Sequence, residues 1–90
     1  MNEMIIVQVR PTELEHLVYI ISNNSEIVPI TIRCKQEELL STVAMSAAKY
    51  EINEIKIQGA KDYTLGIKDQ LTTKINTCFG ANNKINIELM

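Results

Sequence analysis

The sequence has few aromatic residues and a single histidine. It contains three tyrosines, one phenylalanine and no tryptophan, although hydrophobic residues make up 46% of its 90 residues. That hydrophobic share argues against a disordered protein. Because aromatic rings are scarce, the core must be aliphatic, and isoleucine, which suits a pleated sheet, dominates it. The length predicts a single domain over residues 1–90.

The sequence also lacks the basic excess of a nucleic-acid-binding protein. Its formal net charge is −2, and its lysines and arginines are scattered, so phosphate binding would gain little from counterion release. The two cysteines, Cys34 and Cys78, form no CxxC pair. We therefore expect no disulfide framework and no zinc site, with both cysteines buried as small hydrophobic residues in a reducing compartment.

Long hydrophobic runs are missing as well. No apolar segment approaches the roughly 20 residues that a membrane-spanning helix requires. The first residues, Met1-Asn2-Glu3, lack the basic region that begins a secretory signal. The sequence therefore predicts a cytoplasmic protein without a membrane partner.

Three segments rich in β-branched residues occupy the first third of the chain. They predict strands over residues 4–10, 16–22 and 26–33. Asn23-Asn24 is a tight-turn signal, which predicts a hairpin between the second and third strands. Pro29 has no N–H to donate, so the third strand should lie at an edge of the sheet.

A helix over residues 12–22 is the alternative. Thr12 and Glu15 have the spacing of a capping box, and apolar residues at helical spacing follow them. The chain would then be a four-stranded βαβαβαβ protein. Because residues 18–21 (VYII) are poor helix formers, the hairpin is favoured.

The remainder of the chain alternates helices and strands. Apolar spacing predicts helices over residues 35–50 and 62–79 and strands over residues 54–59 and 84–90. The element order is βββαβαβ. Crossovers between parallel strands are right-handed, and both run in the same direction here. We therefore predict an α/β fold with a mixed five-stranded sheet of order 3-2-1-4-5 and both helices on one face.

The last two strands support this one-sided arrangement, because their apolar and polar residues alternate strictly. The predicted core under the second helix consists of Ile55, Ile57, Leu71, Ile75, Ile85 and Ile87. The predicted buried stripes are Leu39, Leu40, Val43, Ala44, Ala47 and Ala48 in the first helix and Tyr63, Ile67, Leu71, Ile75, Cys78 and Phe79 in the second.

Over nearly the whole chain, this element order resembles the core of the ribonuclease H-like superfamily, which also contains Holliday-junction resolvases and actin-like ATPases. For a nuclease, the resemblance implies two divalent metals held by carboxylates from the first strand, the first long helix and the end of the fourth strand. Clustered carboxylates hold hard cations beside a phosphate. For an actin-like ATPase, it implies an Asp and glycines in the first hairpin, which has neither.

Other residues occupy the positions of that carboxylate set. The first strand offers Gln8 and Arg10 and no acid between residues 5 and 10, and the fourth strand ends in Gln58-Gly59. Glu37-Glu38 lie in the opening turn of the first helix, where acids suit the helix dipole. Asp62 is predicted to be the N-cap of the second helix. We therefore predict no catalytic residue, no metal and no cofactor, which favours a non-enzymatic protein.

Two further features could carry chemistry. His16 has no Cys or Ser partner nearby in the sequence, and we interpret it as an ordinary strand-end histidine. Residues 59–62 join a strand to a helix N-terminus, where phosphates bind in other proteins. No glycine-rich phosphate motif accompanies them.

The bare face of the sheet favours a non-catalytic module for protein interaction or self-assembly. With a two-residue hairpin turn, that face would contain Ile6, Val18, Ile20 and Ile27. With a three-residue turn, it would contain Ile6, Leu17, Tyr19 and Ile21.

The expected partner is a second copy or a larger protein assembly. The contact would form through the bare face or through the unpaired edge of the fifth strand, which contains Ile85, Ile87 and Leu89. The alternative hypothesis is a minimal or degenerate ribonuclease H-like nuclease or nucleic-acid-binding protein, which metal binding would distinguish. The isoleucine and asparagine usage would suit a low-GC genome, a bacteriophage or a mobile element.

Overall fold

The computed structural model of the chain has the predicted elements in the predicted order. It describes residues 3–22 and 25–90, and for residues 25–28 it describes the main chain alone. The predicted turn at Asn23-Asn24 lies outside the described residues. The strands are β1 (Met4–Gln8), β2 (His16–Ser22), β3 (Ser25–Ile32), β4 (Glu54–Gln58) and β5 (Asn86–Leu89), and the helices are α1 (Gln36–Lys49) and α2 (Lys61–Phe79).

The strands form one mixed sheet in the order β3-β2-β1-β4-β5. β1 is antiparallel to β2 and parallel to β4. β3 is antiparallel to β2, and β5 is parallel to β4. This topology confirms the predicted strand order and excludes a helix over residues 12–22, since β2 occupies most of that segment. Its helical part is the single 3-10 turn Pro11–Glu13.

Both helices lie on one face of the sheet, with α1 against β2 and α2 against β4 and β5. The core between the helices and the sheet is aliphatic, as the scarcity of aromatic rings predicts. Its buried members are Ile5, Val7, Val9, Val18, Ile20, Ile32, Leu39, Leu40, Val43, Ala44, Ala47, Ile52, Ile55, Ile57, Ile67, Leu71 and Ile75. Ile85 and Ile87 pack against this core while partly exposed, so the predicted packing under α2 is confirmed.

Helix α2 is longer than the strands that it covers. Its 19 residues span about 28 Å at roughly 1.5 Å per residue, whereas the 5 residues of β4 span about 17 Å. The C-terminal end of the helix therefore projects beyond the sheet, whereas its first turn is covered, with Thr64 only 3% exposed. Contrary to the predicted stripes, four residues are exposed: Tyr63, Cys78 and Phe79 at the ends of α2, and Ala48 of α1.

The prediction that both cysteines are buried is wrong. Cys78 lies in the projecting last turn of α2, and Cys34 lies in the connection between β3 and α1; both are exposed free thiols. Cys34 has a φ of 45°, in the left-handed region that non-glycine residues seldom adopt. This connection passes outside the core, so its side chain has no buried site to occupy.

Gly59 closes the junction between β4 and α2. Its φ is +147°, and a Cβ at this position would lie 2.7 Å from the main-chain oxygen of Val9. Val9 follows β1 and donates its N–H to the carbonyl oxygen of Gln58 at 2.8 Å. The missing side chain therefore allows the ends of the two central parallel strands to approach each other.

Replacing this glycine should destabilise the fold. We expect Gly59→Ala to lower the free energy of unfolding by about 1–3 kcal/mol, because alanine adds both a clash and backbone strain. Gly66→Ala is the matched control: Gly66 is a helix residue with no atom within 4 Å of the added Cβ, so alanine should raise stability by about 0.5–1 kcal/mol. Urea unfolding measures both, and equal effects would contradict this reading of Gly59.

Truncation of the core under α2 provides a second test. Leu71 is 1% exposed, and Leu71→Ala should lower the free energy of unfolding by about 2–5 kcal/mol through lost burial and the cavity left behind. Met45→Ala, at a residue 73% exposed on α1, should change it by less than about 0.5 kcal/mol. If thermal melts of Leu71→Ala barely moved, α2 would present a different face to the sheet.

Candidate functional site

The face of the sheet opposite the helices, called the open face below, is defined by the pairing of β1 with β2. Ile5 pairs with Ile20 and Val7 pairs with Val18, and all four side chains are buried on the helix side. Successive side chains of a strand point to opposite faces. The alternate residues of β1 and β2 therefore lie on the open face.

The prediction that Val18 and Ile20 lie on the open face is wrong, since they are 0% and 2% exposed. Ser22 pairs with Ser25, so two residues connect β2 to β3. A two-residue connection is the one for which Val18 and Ile20 were predicted to lie on the open face. The orientation of β2 is fixed by its pairing with β1 and not by the turn to β3. A shift of one residue turns every side chain to the other face. The predicted side chain of Ile27 lies outside the described part of the structure.

The open face is apolar along β1 and β2. Ile6 pairs with Tyr19 at its centre, and both are half-buried. Together with Ile21 and Met90 they line a shallow groove of about 380 Å³. Ile6 was predicted on this face with either turn length, and Tyr19 and Ile21 only with a three-residue turn. Met90 was not singled out, since its approach to the groove across β4 depends on the sheet order.

A polar network crosses the open face beside this groove. The hydroxyl of Tyr19 donates to Gln8 Oε1 at 3.5 Å, and Gln8 Nε2 donates to Gln58 Oε1 at 2.9 Å. These glutamines lie side by side on β1 and β4, at strand positions where the ribonuclease H-like resemblance implies acids. Two neutral amides that bond to each other do not supply the charge that a divalent cation requires.

The open face becomes charged toward β5. The ammonium of Lys56 lies 3.3 Å from Glu54 and 3.9 Å from Glu88. One ammonium thus lies between two carboxylates on β4 and β5, and the open face combines an apolar half with a mixed-charge half.

β5 forms one edge of the sheet. The N–H of Asn86 donates to Asn53 O at 3.0 Å, and that of Met90 donates to Ile57 O at 2.8 Å. Even-numbered residues therefore turn their main-chain groups toward β4. The odd-numbered residues turn theirs outward, since N–H and C=O directions alternate along a strand. Their side chains, those of Ile85, Ile87 and Leu89, are partly buried against the core.

The opposite edge, β3, is less accessible to another strand. The register of β3 shifts between the residues paired with Val18 and Ile20, which marks a bulge, and Pro29 in this segment is exposed. Bulges and edge prolines both hinder pairing with a further strand. The prediction that the Pro29 strand is an edge strand is confirmed.

A cleft of about 330 Å³ lies where β1 and β4 end and the two helices begin, and His16, Cys34, Gln36, Asp62 and Tyr63 contribute to its lining. Asp62 is not the predicted N-cap: Ala60 holds that position, without a side-chain cap. The carboxylate instead belongs to the first turn of α2 and borders the cleft.

The acids of the first helix lie outside this cleft. Glu37 forms an ion pair with Lys74 of α2 at 3.3 Å, and Glu38 is exposed. Among residues 3–22 and 25–90, no three His, Cys, Asp or Glu side chains are grouped so that they could hold a metal ion.

His16 begins β2, as a strand-end residue, and is 6% exposed. Its Nδ1 accepts a hydrogen bond from the N–H of Arg10 at 3.1 Å, so the neutral ring carries its proton on Nε2. Burial lowers the pKa of this histidine from its usual 6.5, because desolvation disfavours the charged form. The ring thus supports the turn from β1 to β2, whose Arg10 also forms an ion pair with Glu13.

Comparison with solved structures shows the fold. The chain is similar to a protein from Bacteroides thetaiotaomicron described as having an actin-like ATPase fold and unknown function, with a TM-score of 0.65 and 13% sequence identity. The match covers 99% of this chain and 32% of that protein, so the chain spans about a third of its length. The similarity agrees with the ribonuclease H-like resemblance at the level of fold.

Two other comparisons gave no match: no family model and no curated protein resembles the sequence. Neither α1 nor α2 has the length and hydropathy of a membrane-spanning helix.

The buried histidine predicts a pH dependence of stability. Because its pKa is lowered in the folded state, the unfolded chain binds more protons below about pH 6.5. His16 should therefore lose its contribution to stability as the pH falls from about 6.5 through the folded-state pKa. His16→Asn retains an acceptor without titrating. The difference in unfolding free energy between wild type and this variant should shrink between about pH 7.5 and about pH 5, and a constant difference would contradict the assignment.

Proposed function

We propose that the chain is a non-catalytic module that self-associates or docks on a larger protein assembly. The observation that carries this proposal is the one-sided layering of the fold. Both helices cover the same face, so the open face retains an apolar half and β5 retains an unpaired edge. Contiguous apolar surface on a small domain is typical of a contact region.

The composition of the open face suits a protein partner. Ile6, Tyr19 and Ile21 supply apolar area, and the amides of Gln8 and Gln58 supply donors and acceptors beside it. An apolar centre with a polar border is the usual anatomy of a protein interface. The charged half offers no concentrated positive potential, since Lys56 is paired with two glutamates, and this disfavours a phosphate backbone as the partner.

Self-association is the part of the proposal that needs no knowledge of a partner. Light scattering over a concentration series should give a mass above that of one chain at micromolar concentration. A strictly monomeric mass at high micromolar concentration would contradict self-association.

Two variants assign the contact to a surface. Ile6→Lys places a charge in the apolar half of the open face, and Met45→Lys, on exposed α1, is the matched change on the opposite side. Loss of assembly in Ile6→Lys alone would assign the contact to the open face. Retention of assembly in both variants would instead assign the contact to an edge of the sheet.

A further inference from the structure

The β5 edge and the neighbouring flank of α2 form one surface, called the β5–α2 surface below. We infer that a second copy of the chain binds this surface about a two-fold axis at Asn86, so that two β5 strands pair antiparallel and make one ten-stranded sheet. This inference rests on the proposed self-association and specifies where it occurs.

The interhelical contacts show which flank of α2 faces away from α1. Gln70 receives a hydrogen bond from Gln36, and Lys74 pairs with Glu37 at 3.3 Å, so these α2 residues mark the flank beside α1. Because α2 lies against β4 and β5, the opposite flank lies toward the outer edge of β5.

Two large apolar residues occupy that outer flank. At 3.6 residues per turn, Leu65 and Phe79 project about 180° away from the mean direction of Gln70 and Lys74. They are 46% and 36% exposed, respectively. Antiparallel pairing of two β5 strands brings two α2 helices together along this flank, with Leu65 of one copy toward Phe79 of the other.

The main-chain groups of β5 limit the possible registers. Ile85, Ile87 and Leu89 direct their N–H and C=O outward, and hydrogen-bonded pairs of an antiparallel ladder must join outward-facing residues of both strands. The two-fold axis can therefore pass through Asn86, Ile87 or Glu88.

Charge selects among these three positions. An axis at Glu88 would place this carboxylate opposite its own copy, which is unfavourable. An axis at Ile87 would place Glu88 opposite Asn86, whose amide is neutral, so no pair of opposite charges would form there. An axis at Asn86 places Lys84 opposite Glu88 of the second copy, twice. Lys84 is exposed and has no ion-pair partner among the described residues, so this register supplies the missing partner.

The same register pairs Ile85 with Ile87 of the second copy on the helix side of the sheet, where both side chains extend the core. Each such pair exchanges two main-chain hydrogen bonds. In the single chain, the N–H of Ile85 donates to Asn83 Oδ1 at 3.1 Å. In the dimer that N–H would donate to the second strand instead, and the partly exposed Asn83 side chain would turn to water.

Charge reversal tests this arrangement. Lys84→Glu and Glu88→Lys should each weaken the dimer by about tenfold or more, since each creates two like-charge pairs. The double variant should bind at least about threefold more tightly than either single variant, because the swapped charges again attract across the axis, although Glu88→Lys also removes the ion pair with Lys56 in the same chain. Lys35→Glu, the same charge change at an exposed site before α1, should leave the affinity unchanged. Sedimentation equilibrium measures all four.

A cysteine cross-link tests the position of the axis. In a background with Cys34→Ser and Cys78→Ser, Asn86→Cys should form a covalent dimer under a mild oxidant, because residues opposite at a non-hydrogen-bonded position lie about 4.5 Å apart at Cα. Glu88→Cys should not cross-link efficiently, since Lys84 would face it.

The outcomes separate this inference from the proposed function. If wild type is dimeric and the charge variants leave its affinity unchanged, the dimer does not form through the β5–α2 surface. Dissociation by Ile6→Lys would have the same meaning, and in both cases the proposed self-association would stand. A monomeric wild type would overturn both. Circular dichroism melts of each variant exclude unfolding as the cause of dissociation.

Discussion

The parallel pairing of β1 with β4 is the contact on which the rest of the fold depends. It places Ile5 beside Ile55 and Val7 beside Ile57, and all four side chains are fully buried. The parallel strands β3, β4 and β5 are joined in turn by α1 and α2, and because right-handed crossovers that run in one direction place their helices on one side, both helices cover the face that carries these residues. The glycine at 59 allows the ends of the two strands to meet. The core therefore lies between the helices and one face of the sheet, and the other face is left open.

Sequence alternation was sufficient to identify the buried face of a strand where the opposite face is polar. In β4 and β5, alternation with charged residues identified the buried face and hence the side on which the helices lie. In β2 the same reasoning failed, because Leu17 to Ile21 are apolar on both faces. The orientation of that strand is decided by its register against β1, a contact between segments distant in sequence. The wrong placement of Val18 and Ile20 therefore reflects missing tertiary information rather than a misread pattern.

Helix ends show a related limit of sequence patterns. The periodicity of α2 continues to Phe79, but burial requires a sheet beneath the helix, and Cys78 and Phe79 lie beyond its last buried residue, Ile75. Tyr63 is exposed for a different reason: the buried stripe passes through its neighbour Thr64. Of the open-face residues, Ile6 could be predicted with either turn length, whereas Tyr19 was predicted there only for a three-residue turn. The amide pair of Gln8 and Gln58 and the outer flank of α2 could not, because each is created by neighbours that only the folded chain brings together.

The two edges of the sheet differ in a way that links stability to assembly. β3 carries a bulge and a proline, both of which hinder further pairing. β5 has 4 residues, has neither feature, and holds the half-buried Ile87 and Leu89 under α2. A second copy bound there would bury the part of the core that has least cover. Binding to the folded state alone stabilises it by mass action, and a domain of this size has little stability to spare. The edge that most favours association is thus also the place where association would most increase the stability of the fold.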